Sequence, residues 1–174
     1  MAVKKEGISP VDTKQVLGLF PPFPIVLVTT QTNIITIGQV QYFTFSPLRI
    51  GIAVAHERHT YSLLKTEREF VVNVPDAEII DAVKLCGDIS GKNCDKFTVA
   101  GLTREQSHVV RAESVLECGA NIECRVEREI VFENRTWFIG EVVAARSRPD
   151  HRAQQSLLCG RTDYAVPGEN VARR

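Results

Sequence analysis

The run from Leu116 to Glu127 constrains this chain more than any other stretch. Leu116, Cys118, Ala120, Ile122, Cys124 and Val126 alternate with Glu117, Gly119, Asn121, Glu123, Arg125 and Glu127. A strict period of two puts each set on its own face of an extended backbone, so the pattern predicts a long, half-buried antiparallel strand. The next segments, "REIVF", "ENRT" and "WFIGEVVAARS", read as a hairpin meander, with Asn134-Arg135-Thr136 in a turn. That triplet also has the form of a glycosylation sequon, but without a secretory route the turn is the simpler reading.

The segments upstream add further strands and a few helices. Ser9-Pro10 and Asp12 read as a short helix start, with Ser9 capping, and the helix ends before "FPPFP". The β-branched run Ile25 to Thr30 favours a buried strand. "NIITIGQVQYFTFSP", residues 33–47, reads as two strands with Gly38 relaxing the step between them; Val40, Tyr42 and Thr44 share the face opposite Gln41, Phe43 and Phe45. In "IGIAVA", Ile50, Ile52 and Val54 form a core face. Gly51, Ala53 and Ala55 form a small face that admits a backbone, a planar ligand, a second subunit or a tightly packed helix. "RHTYSLLKTERE" predicts a helix with Tyr61, Leu64 and Leu63 inward, and "FVVNV" the next strand. Asp76 is placed to cap a helix that buries Ile79, Ile80, Val83 and Cys86 and ends at Gly87. "DISGKNCDKF" reads as a polar loop, and the tail from Pro149 as loop with a short element near Gln154 to Leu158. The sum is one domain over 1–174, core about 20–167, mainly β with helical excursions. A small antiparallel barrel suits it, because closure removes exposed sheet edges.

Composition narrows the classes. The 21 basic and 21 acidic residues balance, which argues against general nucleic-acid binding. No long apolar segment comes after MAVKKEG, so neither a signal peptide nor a membrane span is expected, and a cytoplasmic location is the default. Five cysteines without a secretory signal read as small buried hydrophobes rather than a disulfide framework. Cys86 and Cys94 have no histidine near them, so no metal site is expected.

Walker, GxGxxG, HExxH and GxSxG signatures are all missing, and the four histidines are scattered in polar surroundings that suit surface or loop positions. One cluster carries chemistry. In "HERHTYSLL", Arg58, His59 and Thr60 gather a fixed cation, a titratable donor and a hydroxyl where a strand feeds a helix. Free amides at a helix start attract anions, so this reads as a phosphate seat or, alternatively, as a solvated helix cap. Ser90-Gly91-Lys92 through Asp95-Lys96 can bring lysines over the same anion.

The ordered segments "PIVLVTT", "NIITIG", "SPLRIGIAV", "RHTYSLL", "FVVNVP", "SGKNCDKF" leading into "AGLT", "ECGANIECRV", "FIGEVV" and "GRTDYAVPG" resemble the flavin reductase-like, FMN-binding split-barrel family, which includes flavoredoxin-type carriers. The resemblance runs from about Phe23 to Pro167. It implies a six-stranded antiparallel split β-barrel that forms a homodimer and holds FMN, with FAD less favoured. Carried over by position, Asn33, Ile34, Ile35 and Thr36 would line the isoalloxazine, with Asn33 and Thr36 facing the ring. Arg58, His59 and Thr60 would take the phosphate. Ser90, Gly91 and Lys96 would close over the flavin, and Thr29 and Thr30 would touch the ribityl chain. Two positions depart from the family. Asn134 and Arg135 stand where an Asp-His pair is common, and Ile35 where methionine or alanine is. Arginine does not exchange protons near neutral pH, so Arg135 weakens the inference of NAD(P)H oxidation more than that of FMN binding. The expected function is an FMN-dependent oxidoreductase passing electrons from NAD(P)H to free flavin or another small acceptor. The alternatives are a flavoredoxin-type carrier reduced by a partner protein, and a barrel that binds a phosphate-bearing ligand without redox turnover.

Overall fold

The β-branched and alternating runs pair into one curved sheet. The computed structural model describes residues 10–160 and 163–168. In chain order the strands are β1 (Phe23–Pro24), β2 (Val26–Thr29), β3 (Ile34–Ile37), β4 (Val40–Phe45), β5 (Leu48–Ala55), β6 (Glu69–Val74), β7 (Arg104–Glu105), β8 (Ser114–Val115), β9 (Ala120–Val131), β10 (Arg135–Ser147), β11 (Leu158–Cys159) and β12 (Tyr164–Ala165). The α-helices are α1 (His59–Glu67), α2 (Ile80–Asp88) and α3 (Lys96–Ala100). Seven strands make the main sheet in the order β3-β2-β6-β9-β10-β5-β4, every pair antiparallel. Its two edges, β3 and β4, are consecutive in the chain and separated only by Gly38 and Gln39, so the sheet rolls until the edges meet at that link. Among the described residues no ladder joins β3 to β4, which leaves the barrel split. The sheet has seven strands where six were expected, and the two strands of residues 34–45 form its two edges.

Apolar side chains fill two layers. Val26, Val28, Ile35, Ile52, Phe70, Cys124 and Phe138 pack inside the barrel together with Leu64 of α1. Leu27 and Ile34 point outward and are covered by Val83 and Cys86 of α2 and Phe97 of α3. Strand β2 is thus buried on both faces, which is why its sequence is apolar without alternation. Gly140 makes room for the barrel's central ring: a Cβ there would lie 2.9 Å from Cε1 of Phe70 and from Cβ of Cys124.

Several local expectations change. Strand β9 starts at Ala120, and Leu116 lies in the preceding turn, 49% exposed. At Asn121 and Glu123 its polar face is not in solvent, because the segment 107–115 folds across it, while Arg125 and Glu127 farther along stay exposed. The Glu123 carboxylate accepts the N–H groups of His108 (2.8 Å), Val109 (2.7 Å) and Val110 (3.0 Å), and Asn121 Nδ2 donates to Asn73 Oδ1 at 2.8 Å. Periodicity tells which side chains share a face, not what later covers it. Asp12 itself caps the first 3-10 turn (Thr13–Gly18) by accepting from Lys14 N, while Ser9 lies outside the described residues. Asp76 sits at a helix N-cap without capping it and pairs instead with Arg148, and Gly87 lies inside α2. The stretch "DISGKNCDKF" is not all loop: Asp95 caps α3 by accepting from Phe97 N at 3.1 Å. A bulge between Tyr42 and Thr44 breaks the alternation of β4, bringing the Tyr42 and Phe45 rings to 5.9 Å while Phe43 folds over Gly51. Cys86, Cys118 and Cys124 are buried, but Cys94 and Cys159 are half-exposed. Burial pushes the Cys86 thiol up to about 11 and Cys124 to about 12, so neither is a nucleophile near neutral pH.

Candidate functional site

Strand β5 ends at Ala55 and a short turn delivers the chain into α1. Arg58 occupies the N-cap position in extended conformation, yet no side chain caps the helix; the Tyr61 N–H bonds back to the Arg58 carbonyl at 2.9 Å, and the amides of His59 and Thr60 are left uncapped. Arg58 Nη1 donates to the Gly87 carbonyl of α2 at 3.2 Å, which holds its guanidinium beside those amides. Asn33, at the turn entering β3, is 3% exposed; its Nδ2 donates to Thr60 Oγ1 at 2.9 Å. The Asn33 Oδ1 atom is buried without a partner. Gly91 backs so closely onto this amide that a Cβ there would overlap it. Lys96, 4% exposed at the start of α3, donates from Nζ to the Cys86 carbonyl at 2.8 Å, and burial holds its pKa below the usual lysine value. Its neighbour Asp95 is held well below the usual carboxylate range, by hydrogen bonds from Arg104 and then Thr98.

These groups surround a cleft of about 140 Å³ lined by Asn33, Ile35, Glu57, Arg58, His59, Thr60, Ile89, Ser90, Gly91 and Lys96. The uncapped amides, the fixed cation and the buried ammonium give it the chemistry that suits an anion. The orphaned Asn33 amide fits the same role: rotated about its last torsion, it would accept from the Thr60 hydroxyl and turn its NH₂ to an anion.

A second cavity of about 450 Å³ adjoins the first and shares Ile35, Glu57 and Arg58 with it. Its walls are Ile35 to Gly38 of β3 and the link after it, Ala53 to Ala55 of β5, and the side chains of Phe23, Gln39, Cys159 and Arg135. Ala53 and Ala55 belong to the small face read from the sequence, and here that face lines a ligand-sized space; Gly51, the third member, is instead covered by Phe43. Arg135 opens β10 opposite Ala55, and its guanidinium reaches Gln39 Oε1 across the cavity mouth. A large cavity with a small-residue wall, ending in a cationic cleft, suits a flat molecule with a phosphate tail.

The expected site residues divide. Asn33, Ile35, Arg58, His59, Thr60, Ser90, Gly91 and Lys96 converge on the cleft. Thr36 lines the larger cavity, but its hydroxyl donates to the Val83 carbonyl of α2. Ile34 is buried beneath α2, Thr29 Oγ1 accepts from Asn73 Nδ2 at 3.2 Å, and Thr30 is 1% exposed; none of the three lines either cavity. Glu57, Ile89, Gln39, Phe23 and Cys159 line the cavities without having been expected there. Glu57 sits inside "HERHTYSLL", so adjacency to Arg58 was its signal; Phe23 and Cys159 meet only through the β1–β11 pairing, which leaves no mark in the sequence. Among the described residues no group of three or more His, Cys, Asp or Glu side chains is placed to hold a metal ion. No described helix is long and apolar enough to cross a membrane.

Residues 20–166 match the family model described as "Flavin reductase like domain". The chain belongs to this family. Two sequence relatives are uncharacterized proteins: one of Archaeoglobus fulgidus, 40% identical over 64% of this chain, and one of Pyrococcus abyssi, 33% identical over 66%. The matched segments span 63% and 65% of those relatives' own length. Among solved structures, the flavoredoxin of Methanosarcina acetivorans superposes with a TM-score of 0.81 at 22% identity, covering 99% of this chain and 95% of that one. An FMN-binding protein of Thermus thermophilus gives 0.80 at 19% identity, covering 100% and 99%. The NADH:FAD oxidoreductase of Streptomyces globisporus C-1027 gives 0.79 at 20%, covering 96% and 100%. At these identities the likeness establishes the flavin reductase-like split barrel as the fold.

Proposed function

We propose that the protein binds FMN and acts as an oxidoreductase, taking electrons from NADH or NADPH and delivering them to free flavin or another small acceptor. The observation that carries this reading is the pair of adjoining cavities, whose small end gathers Arg58, Lys96, Asn33 and the open amides of α1. Family membership supports it, as does a fold shared with proteins described as flavoredoxin, FMN-binding protein and NADH:FAD oxidoreductase. FMN, when bound, supplies the redox centre, and the protein supplies position and electrostatics. In this reading Arg58, His59, Thr60 and Asn33 bind the phosphate. Ser90 and Gly91 close over it, and the ring rests between Ile35 and the Ala53–Ala55 wall. The cleft suits one terminal phosphate, which favours FMN over FAD.

Arg135 favours a second reading, a flavoredoxin-type carrier reduced by a partner protein, because a guanidinium lines the cavity and cannot exchange protons. One experiment separates the readings. Purified protein that remains colourless after incubation with FMN and removal of the excess would exclude both, leaving a non-redox barrel. Yellow protein that bleaches on anaerobic mixing with NADH or NADPH is expected; yellow protein that does not bleach would favour the carrier.

We also propose a homodimer. The β4 and β9 ends expose Tyr42 (56%), Phe45 (81%), Val131 (65%) and Phe132 (50%), and Phe43 of β4 meets Trp137 of β10 edge-on at 5.6 Å between ring centres. Large exposed apolar side chains on one sheet are the kind of surface a second copy would cover. A monomeric mass by light scattering at micromolar concentration would remove this proposal.

A further inference from the structure

Two guanidiniums line the larger cavity, and a monophosphate ligand accounts for one of them. Arg58 stands where the cavity meets the anion cleft. Arg135 stands on the opposite strand, at the start of β10, half-buried and directed across the mouth toward Gln39. Among the described residues Arg135 forms no ion pair; its hydrogen-bond partners are the neutral side-chain oxygens of Gln39 and Asn134, the latter at 3.2 Å from Nε. Most other arginines that bond side chains across the barrel surface meet carboxylates: Arg49 with Glu127, Arg68 with Glu129, Arg146 with Glu105, Arg148 with Asp76. Among the described residues Glu57 is the one carboxylate in the cavity wall, and it pairs with neither guanidinium.

A fixed cation oriented by neutral partners keeps its charge directed outward, and a concave, partly dehydrated wall strengthens its attraction for an anion. We infer that Arg135 is a specificity-determining residue that selects a planar second substrate carrying its own anionic group, a carboxylate or a phosphate. This inference rests on the FMN reading, in which Arg58 is occupied by the flavin phosphate and the charge at the far side is left for the other reactant. Gln39 acts as the positioning residue: its backbone carbonyl accepts Ala53 N–H at 2.9 Å, which fixes it to β5 while its side chain holds Arg135 over the mouth.

The test uses binding rather than turnover. FMN-loaded protein is titrated with benzoate and with its neutral isostere benzamide, using the visible absorption of the bound flavin as the signal, in wild type, Arg135→Gln and Arg135→Lys. Benzoate is expected to bind at least about tenfold tighter than benzamide in wild type, consistent with a charge-assisted contact. The ratio is expected to fall to within about twofold in Arg135→Gln and to recover in part in Arg135→Lys. An equal affinity for the two probes, or a preference that survives Arg135→Gln, overturns the inference. FMN uptake is measured first and separately. A chain that takes up no FMN overturns the functional reading and this inference with it; one that binds FMN but ignores the probe's charge overturns the inference alone.

Discussion

Two places in this molecule direct several donors at one point, and they end differently. Beside β9 the N–H groups of three consecutive residues, His108 to Val110, converge on Glu123, which is 1% exposed and completes the cluster from within the chain. At the start of α1 the first-turn amides, Arg58 and the buried Lys96 converge on a cleft where no carboxylate bonds to them among the described residues, and where one amide oxygen, Asn33 Oδ1, has no partner. The first cluster is a staple for a crossing loop. The second is unfinished, which is what a binding site looks like when its anion comes from outside. The contrast predicts that breaking the first lowers stability, and that breaking the second lowers affinity and leaves stability nearly intact.

The largest effect is expected at Glu123. Glu123→Ala leaves three backbone donors without their acceptor, that of Val110 buried, and should lower unfolding free energy by about 3 kcal/mol in urea denaturation. Burial raises the Glu123 pKa, but the three backbone N–H groups outweigh it and hold the carboxyl below its ordinary value. Its contribution is therefore complete above the unfolded value of about 4.3 and is lost as pH falls through the folded value. A Glu123→Gln variant should be less stable than wild type at pH 7, with the gap closing below about pH 4. A stability loss below about 1 kcal/mol in the Ala variant would show that the loop is held by other contacts.

Arg58→Ala tests the other side. It should weaken FMN binding by about 2 kcal/mol, roughly the value of a charge-assisted hydrogen bond, in a flavin fluorescence-quenching titration. The melting temperature without FMN should stay within about 2 °C, because Arg58 is exposed and bonds only one carbonyl. A large loss of apo stability with unchanged affinity would reverse the contrast at this residue. Gly91→Ala should act in the same direction more weakly. The added methyl meets the Asn33 amide and displaces it or the loop, lowering affinity by about 1 kcal/mol as overpacking does.

The two clusters were unequally legible in the sequence, for a physical reason. One wall of the cationic cleft is contiguous in the chain: Arg58, His59 and Thr60 lie at a strand-to-helix junction with open amides, so composition and local structure were enough to find it. Ala53 and Ala55 were visible for the same reason, since a period of two puts small residues together. The Glu123 staple joins residues 13 to 15 positions apart across a chain reversal, and the alternating pattern assigned Glu123 to solvent because an uncovered face and a face covered by polar contacts look alike in sequence. Ile34 and Thr36 show the converse limit. The "NIITIG" segment pointed to a ligand floor, but α2 covers the outer face of β3, so Ile34 packs in the core, the Thr36 hydroxyl bonds Val83, and only Ile35 reaches both cavities.

Lys96 gives the smallest expected effect and the sharpest form of the contrast, because like Glu123 it is a buried charge. Its ammonium has one hydrogen bond, to the Cys86 carbonyl, and no carboxylate partner among the described residues. Burial lowers its pKa, so the folded state disfavours the charged form. That penalty is complete below the folded-state pKa and disappears as pH rises from there to the unfolded value of about 10.4. Lys96→Met keeps the stem's packing and removes the charge, so apo stability near pH 7 should stay within about 1 kcal/mol of wild type and lean toward a gain, as when a poorly compensated buried charge gives way to an apolar side chain. The advantage should shrink toward alkaline pH. With FMN present the order should invert, wild type gaining more from the ligand than the variant, since binding adds to stability in proportion to the logarithm of affinity. Urea melts with and without FMN measure both effects. A loss of more than about 2 kcal/mol in the apo variant would make Lys96 a structural staple like Glu123 and leave Arg58 and the α1 amides as the anion seat.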